Sequence, residues 1–235
     1  MDHGQGHGNG AEGRRTFLVS AAGAGLALAA GRARAAEAGK KEADLPPTED
    51  LMREHGVLRR ILLIYEEAAR RLPSGEPNVA NVVAGAANVV HRFVEGYHEK
   101  LEESFVFPKL EHEGKLTNLT VVLRTQHAAG RKLTEAILAA TKSGALSGSA
   151  RGAVVAAMES FVYMYAPHAA WEDTELFPVY RGLFSEAELG KVGDRFEEQE
   201  HKLFGSGGFE GSLRDVGDLE KALGINDLAR YTPGK

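Results

Sequence analysis

The sequence predicts an all-α protein: an up-down-up-down four-helix bundle with an additional C-terminal helix and tail. Three observations predict it. Apolar residues recur at helical spacing along four long segments. Short breaks of Gly, Pro and Ser separate those segments, which makes consecutive helices antiparallel neighbours. No stretch alternates apolar and polar residues with the β-branched enrichment of a strand. At 235 residues, 43% hydrophobic and 26% charged, the chain can bury one core of ordinary size.

The elements follow in order. Arg14-Arg15-Thr16-Phe17-Leu18 is a twin-arginine pair leading into a mildly apolar run that ends at Ala33-Arg34-Ala35. The run is too short to span a bilayer, and residues 1–35 resemble a twin-arginine export signal. That predicts a mature chain from Ala36, periplasmic or extracellular and not held in a membrane. Residues 36–47 form a linker. Thr48-Glu49-Asp50 supplies a predicted N-cap and acidic first turn for a helix to about residue 72. Its apolar face is Leu51, Val57, Leu58, Ile61, Leu62 and Tyr65. Pro73-Ser74-Gly75 breaks it, and Pro77 suits the first position of a second helix running to about residue 112. Gly114 turns the chain into a third helix over 116–141. A fourth covers 149–180 and contains Pro167, which lacks an N–H and frees a carbonyl one turn earlier, predicting a kink. A fifth spans 185–204 and stops at Gly205-Ser206-Gly207-Gly208. The helical domain is thus 48–205, and the extension 206–235 holds one short helix over 213–223 and a tail.

Composition excludes some chemistry. There is no cysteine, so disulfides, thiolate metal sites and thiol catalysis are absent. A net charge of −5 without basic clusters gives no reason to expect a nucleic-acid partner.

The informative feature is an internal repeat. His98-Glu99-Lys100-Leu101-Glu102-Glu103 leads to Phe107-Pro108, and His168-Ala169-Ala170-Trp171-Glu172-Asp173 leads to Phe177-Pro178. In both, carboxylates stand four and five residues after the His, and Phe-Pro nine and ten after it. Helices one and three each carry one His followed four residues later by Arg: His55 with Arg59, His127 with Arg131. Residues i and i+4 share a helix face, so a His and a Glu so spaced can hold one metal, or the Glu can bridge two. Imidazole with carboxylate and no thiolate favours iron or manganese over structural zinc, and bundle cores hold such metals in pairs. Counted from the turns at about 1.5 Å per residue, the four segments meet at one level to within roughly 5 to 10 Å. The candidate ligands are His55, His98, Glu102, His127, His168 and Glu172.

At EHGVLRRIL around His55, YHEKLEESFVFP around His98, QHAAGRKL around His127 and PHAAWEDTELFP around His168, the sequence resembles the hemerythrin-like HHE cation-binding family. The likeness covers roughly residues 50–204. It implies two iron ions, oxo- or hydroxo-bridged, with manganese as the alternative, held by those six residues with Glu102 and Glu172 bridging. One position departs from the oxygen-carrying members: their third helix has His-x3-His, and here the second of these is Arg131. Of about twelve positions on two octahedral irons, four His, two bridging carboxylates and the oxo bridge leave about two. The resemblance therefore implies a protein that binds or reduces a small oxidant such as dioxygen, peroxide or nitric oxide. The alternative is iron storage, sensing or delivery without turnover.

Other ionisable residues have weaker claims. His91 is two turns before His98 and could be an outer ligand or a surface residue. His201 could approach the site only if the fifth helix packs there. His112 is expected in solvent. Glu103 and Asp173 are expected as outer hydrogen-bond acceptors or solvated charges, with Asp173 the stronger rival ligand. Tyr97 and Tyr165 could donate hydrogen bonds near a bound ligand or serve as core aromatics.

Overall fold

Pro47 opens the first helix, α1 (Pro47–Arg71), because its fixed backbone angle suits a first helical position whose N–H would be unused. The computed structural model describes residues 45–144 and 146–234. The expected export signal and most of the linker lie outside the described residues. Thr48 is not the cap expected of it: its Oγ1 donates to Glu49 (2.7 Å), and Pro46 holds the capping position with no side-chain bond. A short 3-10 turn, Leu72–Ser74, and Gly75 at φ 71° end the helix.

The second helix, α2, covers residues 79–112. It starts after Pro77 because Asn78 takes a left-handed φ of 68°. It is not α-helical throughout. Val79–Val89 is followed by π-helical Val90–His98, one α turn at Glu99–Leu101, a second π segment at Glu102–Val106, and Phe107–His112. Helix α3 (Thr117–Thr141) is entered through Leu116 at φ 49°. Helix α4 covers 148–181, capped by Ser147, whose Oγ accepts from the Ala150 N–H. It runs through Pro167 without ending, turns π-helical at Glu172–Leu176 and closes with Phe177–Arg181. Helix α5 (Glu186–Phe204) begins in a capping box of Ser185 and Glu188. Helix α6 (Gly208–Leu223) follows, then a single 3-10 turn, Leu228–Tyr231.

The fold is an all-α helical bundle, and no strand occurs among the described residues. Helices α1 and α3 each pack against both α2 and α4, closing a four-membered ring. The core inside it includes Ile61, Tyr65, Phe107, Phe161, Leu176 and Phe177. Each such side chain, fully buried, contributes about 1.5–3 kcal/mol. Helix α6 lies against α1 and the first stretch of α2, and α5 against α1 and the first π segment. Among the described residues no helix is long and apolar enough to cross a membrane.

Two of the three π segments begin at Glu102 and Glu172 and run up to Phe107-Pro108 and Phe177-Pro178. Proline has no N–H to return to the carbonyl four residues back, so the helix is free to widen by one residue at that turn. The repeat seen in the sequence is therefore also a repeat of backbone geometry.

Candidate metal centre

The four bundle helices bring His55, His98, Glu102, His127, His168 and Glu172 into one buried cluster. The histidines pair through their inner nitrogens. His55 Nε2 and His98 Nε2 stand 3.0 Å apart, and His127 Nε2 and His168 Nε2 3.3 Å apart. The carboxylates lie between the pairs. Glu102 turns Oε1 to His98 Nε2 (3.6 Å) and Oε2 to His127 Nε2 (3.4 Å). Glu172 sets Oε2 3.3 Å from His55 Nε2 and 3.0 Å from His168 Nε2. Each carboxylate thus faces one His of either pair. Two three-residue groups result, His55–His98–Glu102 and His127–His168–Glu172, with ligand atoms within 4.8 Å of one another in each.

All four oxygens of Glu102 and Glu172 are buried without a hydrogen-bond partner. An unpaired carboxylate in a dry interior costs several kcal/mol, and a native core retains such groups only when something else compensates them. Hard oxygen donors and imidazole nitrogens converging on one space fit divalent or trivalent cations such as iron or manganese.

The outer nitrogens explain why the imidazoles face inward. His55 Nδ1 donates to Asp173 Oδ1 (2.7 Å) and His98 Nδ1 to Glu54 Oε2 (2.6 Å). His127 Nδ1 donates to Glu103 Oε1 (3.2 Å) and His168 Nδ1 to Gln126 Oε1 (2.8 Å). An acceptor at every Nδ1 selects the tautomer whose Nε2 lone pair points into the cluster. These partners obey the sequence repeat. The residue before each lone His, Glu54 or Gln126, serves the His of the next helix. The carboxylate after each clustered Glu, Glu103 or Asp173, serves the lone His. The Arg four residues after that lone His clamps the same carboxylate: Arg59 binds Asp173, and Arg131 binds Glu103 (2.6 Å). The Phe of each Phe-Pro stacks on the lone His as well, Phe177 on His55 and Phe107 on His127, both with ring centroids 5.5 Å apart.

The halves interleave. His55 pairs with His98 on α2, yet its acceptor and stacking ring come from α4. His127 pairs with His168 on α4, and its acceptor and ring come from α2. They also differ: Glu54 answers to Gln126, Glu99 to Ala169, and Leu58 to Gly130. On the His127 side this makes room for a local network. Arg131 also bonds Glu99 (2.6 Å), whose other oxygen accepts from Tyr165 OH (2.6 Å). Tyr165 sits there because Gly130 has no side chain; a Cβ at Gly130 would lie 2.1 Å from the hydroxyl.

Electrostatics follow from burial. Burial, with the Glu172 charge beside it, pushes the Glu102 carboxyl well above the usual carboxylate range. Burial acts the same way on Glu172, but His168 and His55 outweigh it and hold that group well below. Burial, then the neighbouring His55, keeps His98 neutral far below its usual range. His127 is lowered by burial against the pull of Glu103, whereas at His55 the carboxylates of Asp173 and Glu172 overcome burial and raise it. Burial drives Glu99 up to about 8 despite Tyr165 and Arg131.

The remaining candidates lie elsewhere. His91 is exposed and faces Glu95 (3.3 Å), His201 is exposed on α5, and His112 is exposed beside Glu113. Tyr97 donates to the Phe196 carbonyl among Phe93 and Phe204, away from the cluster.

A profile of the hemerythrin HHE cation-binding domain matches residues 47–180, the ring of four helices that carries all six clustered residues. The chain belongs to this family. Uncharacterized proteins of Mycobacterium bovis (Mb2018) and Mycobacterium tuberculosis (Rv1995) are each 46% identical over 234 residues, covering 95% of this chain and 92% of their own length. No solved structure matches. In this HHE protein the roles of Glu54, Gln126, Glu99 and Gly130 escaped sequence reasoning. Only the first two left a signal: the same residue type, Glu or Gln, precedes both lone histidines.

Proposed function

We propose that this HHE protein holds two iron ions, one between His55 and His98 and one between His127 and His168, with Glu102 and Glu172 bridging. Its role is to bind or reduce a small oxidant such as dioxygen, peroxide or nitric oxide. The observation that carries the reading is the set of four buried carboxylate oxygens without a hydrogen-bond donor, each carboxylate flanked by a His of both pairs. When bound, the metals supply one-electron chemistry and coordination positions that exchange small ligands. The protein's own residues do the rest. Asp173, Glu54, Glu103 and Gln126 orient the imidazoles. Phe107 and Phe177 exclude water from the lone histidines. Arg131, permanently protonated and committed to Glu99 and Glu103, adds no donor at the position where a fifth His would stand. That favours a centre with exchangeable positions over a closed store. Residues 1–35 support twin-arginine export to the periplasm or beyond.

The test is aerobic purification followed by metal analysis and absorption spectroscopy with azide and peroxide. About two irons per chain and charge-transfer bands that shift with added ligand are the expected result. Zinc, or no metal, would overturn the reading. Two irons with a spectrum indifferent to both ligands would point instead to storage, sensing or delivery.

A further inference from the structure

A groove of about 670 Å³ runs along the outside of the bundle between α2 and α3. Its walls are mostly apolar, with Leu138 and Ala139 on one side and Gly96 on the other. Four basic side chains line it, His91, Lys100, Arg131 and Lys142, against two acidic ones, Glu95 and Glu135. Glu95 is buried and faces His91 (3.3 Å). Lys142 has no hydrogen bond or ion pair among the described residues. Arg131 bonds Glu99 and Glu103 through the same nitrogen, Nη2; its Nε is buried, and its Nη1 makes no hydrogen bond among the described residues. Nη1 is therefore the one donor that the guanidinium has to spare, on a residue that lines the groove.

We propose that this groove binds a small organic anion with an apolar body, and that occupancy is felt at the metal centre through Glu103 and His127. The apolar body covers Leu138 and Ala139, and the anionic head meets Lys142, Lys100 and Arg131. Lys100 and Arg131 are also the two cations that hold Glu103, at 2.8 Å and 2.6 Å. An anion that draws on them loosens Glu103, which is the acceptor of His127 Nδ1. The partner at the outer nitrogen tunes the donor strength of the inner one. The binding site stands independently of the metal; the coupling rests on the proposed iron centre.

The probe is 2-naphthoate, titrated calorimetrically into the full-length, iron-assayed protein, with neutral 2-naphthylmethanol as its uncharged counterpart. Saturable binding of the carboxylate, about tenfold or more tighter than the alcohol, is expected. Lys142→Glu should weaken it about tenfold or more, and Ala139→Trp, which fills the groove from an exposed position, should abolish it. Iron content should be unchanged in both variants. Addition of 2-naphthoate should shift the iron charge-transfer bands of the parent protein. No saturable binding, equal binding of the alcohol, or indifference to both variants overturns the site. Binding with an unmoved spectrum overturns the coupling. Failure of the probe in a protein with two irons refutes the groove and leaves the centre; binding to a protein without iron does the reverse.

Discussion

Glu102 and Glu172 place carboxyl oxygens where the folded chain gives them no hydrogen bond, and that arrangement trades stability for affinity. Replacing Glu102 by Leu removes polar atoms from a dry site. The metal-free variant should gain about 1–3 kcal/mol, seen as a later denaturation midpoint, while its iron content falls to about one per chain or less. Glu99 gives a pH signature in the metal-free protein. Its folded value of about 8 lies above the ordinary carboxylate value, so the folded state holds a proton that the unfolded state releases. The associated stability is present at low pH and lost as pH rises through about 8. Glu103 and Asp173 are shifted the other way and act only below the ordinary carboxylate range. The melting temperature should therefore fall between about pH 5 and about pH 8 and level off above that; Glu99→Gln should remove part of the fall, the rest belonging to Glu102 and His55, which are also raised. At this scale the ligand types were readable, because i and i+4 spacing is a property of sequence. Glu99 was not: its role depends on Arg131 and Tyr165, which arrive from two other helices.

Helix α3 approaches α4 closely at Gly130, and two glycines in similar helical settings should respond in opposite ways. A methyl at Gly130 meets the Tyr165 ring and hydroxyl, so Gly130→Ala should cost about 1–3 kcal/mol and release iron more readily. Gly152 in α4 has nothing within 4 Å of a Cβ, and Gly152→Ala should add about 0.5–1 kcal/mol through helix propensity alone. Thermal unfolding of both variants decides the matter. Helix positions followed from apolar periodicity, but some ends did not. Residues 205–208 were expected to close the bundle and leave a short helix over 213–223. Instead α6 begins at Gly208, where the Phe209 N–H donates to Glu200 (2.5 Å) and a Cβ would sit 1.9 Å from that carboxylate. A glycine read as a break is a point of contact. The π segments were equally hidden, since local patterning does not separate four- from five-residue hydrogen-bond spacing.

Across the whole chain, the bundle depends on α6. Phe209, Val216 and Leu223 are buried against it, Glu220 binds Arg60 through both oxygens (2.7 and 2.5 Å), and Leu219 packs on Gly85. A chain ending at Gly207 should lose several kcal/mol, about 1.5–3 per large side chain uncovered, measured by denaturant unfolding. The pairing of four helices was legible because the repeat demanded it; the cover given by α6 was not, because its apolar positions are few and its partners distant in sequence. The two halves of the centre match in geometry but not in charge, since Glu54 backs His98 where neutral Gln126 backs His168. With iron bound as proposed, the carboxylate would enrich its side in negative potential and direct an incoming electron to the His127–His168 side first. A potentiometric titration of the iron-loaded protein should resolve two separate one-electron steps, and Gln126→Glu should draw them together. A single Glu-for-Gln difference in an otherwise repeated site would then set an order of reduction.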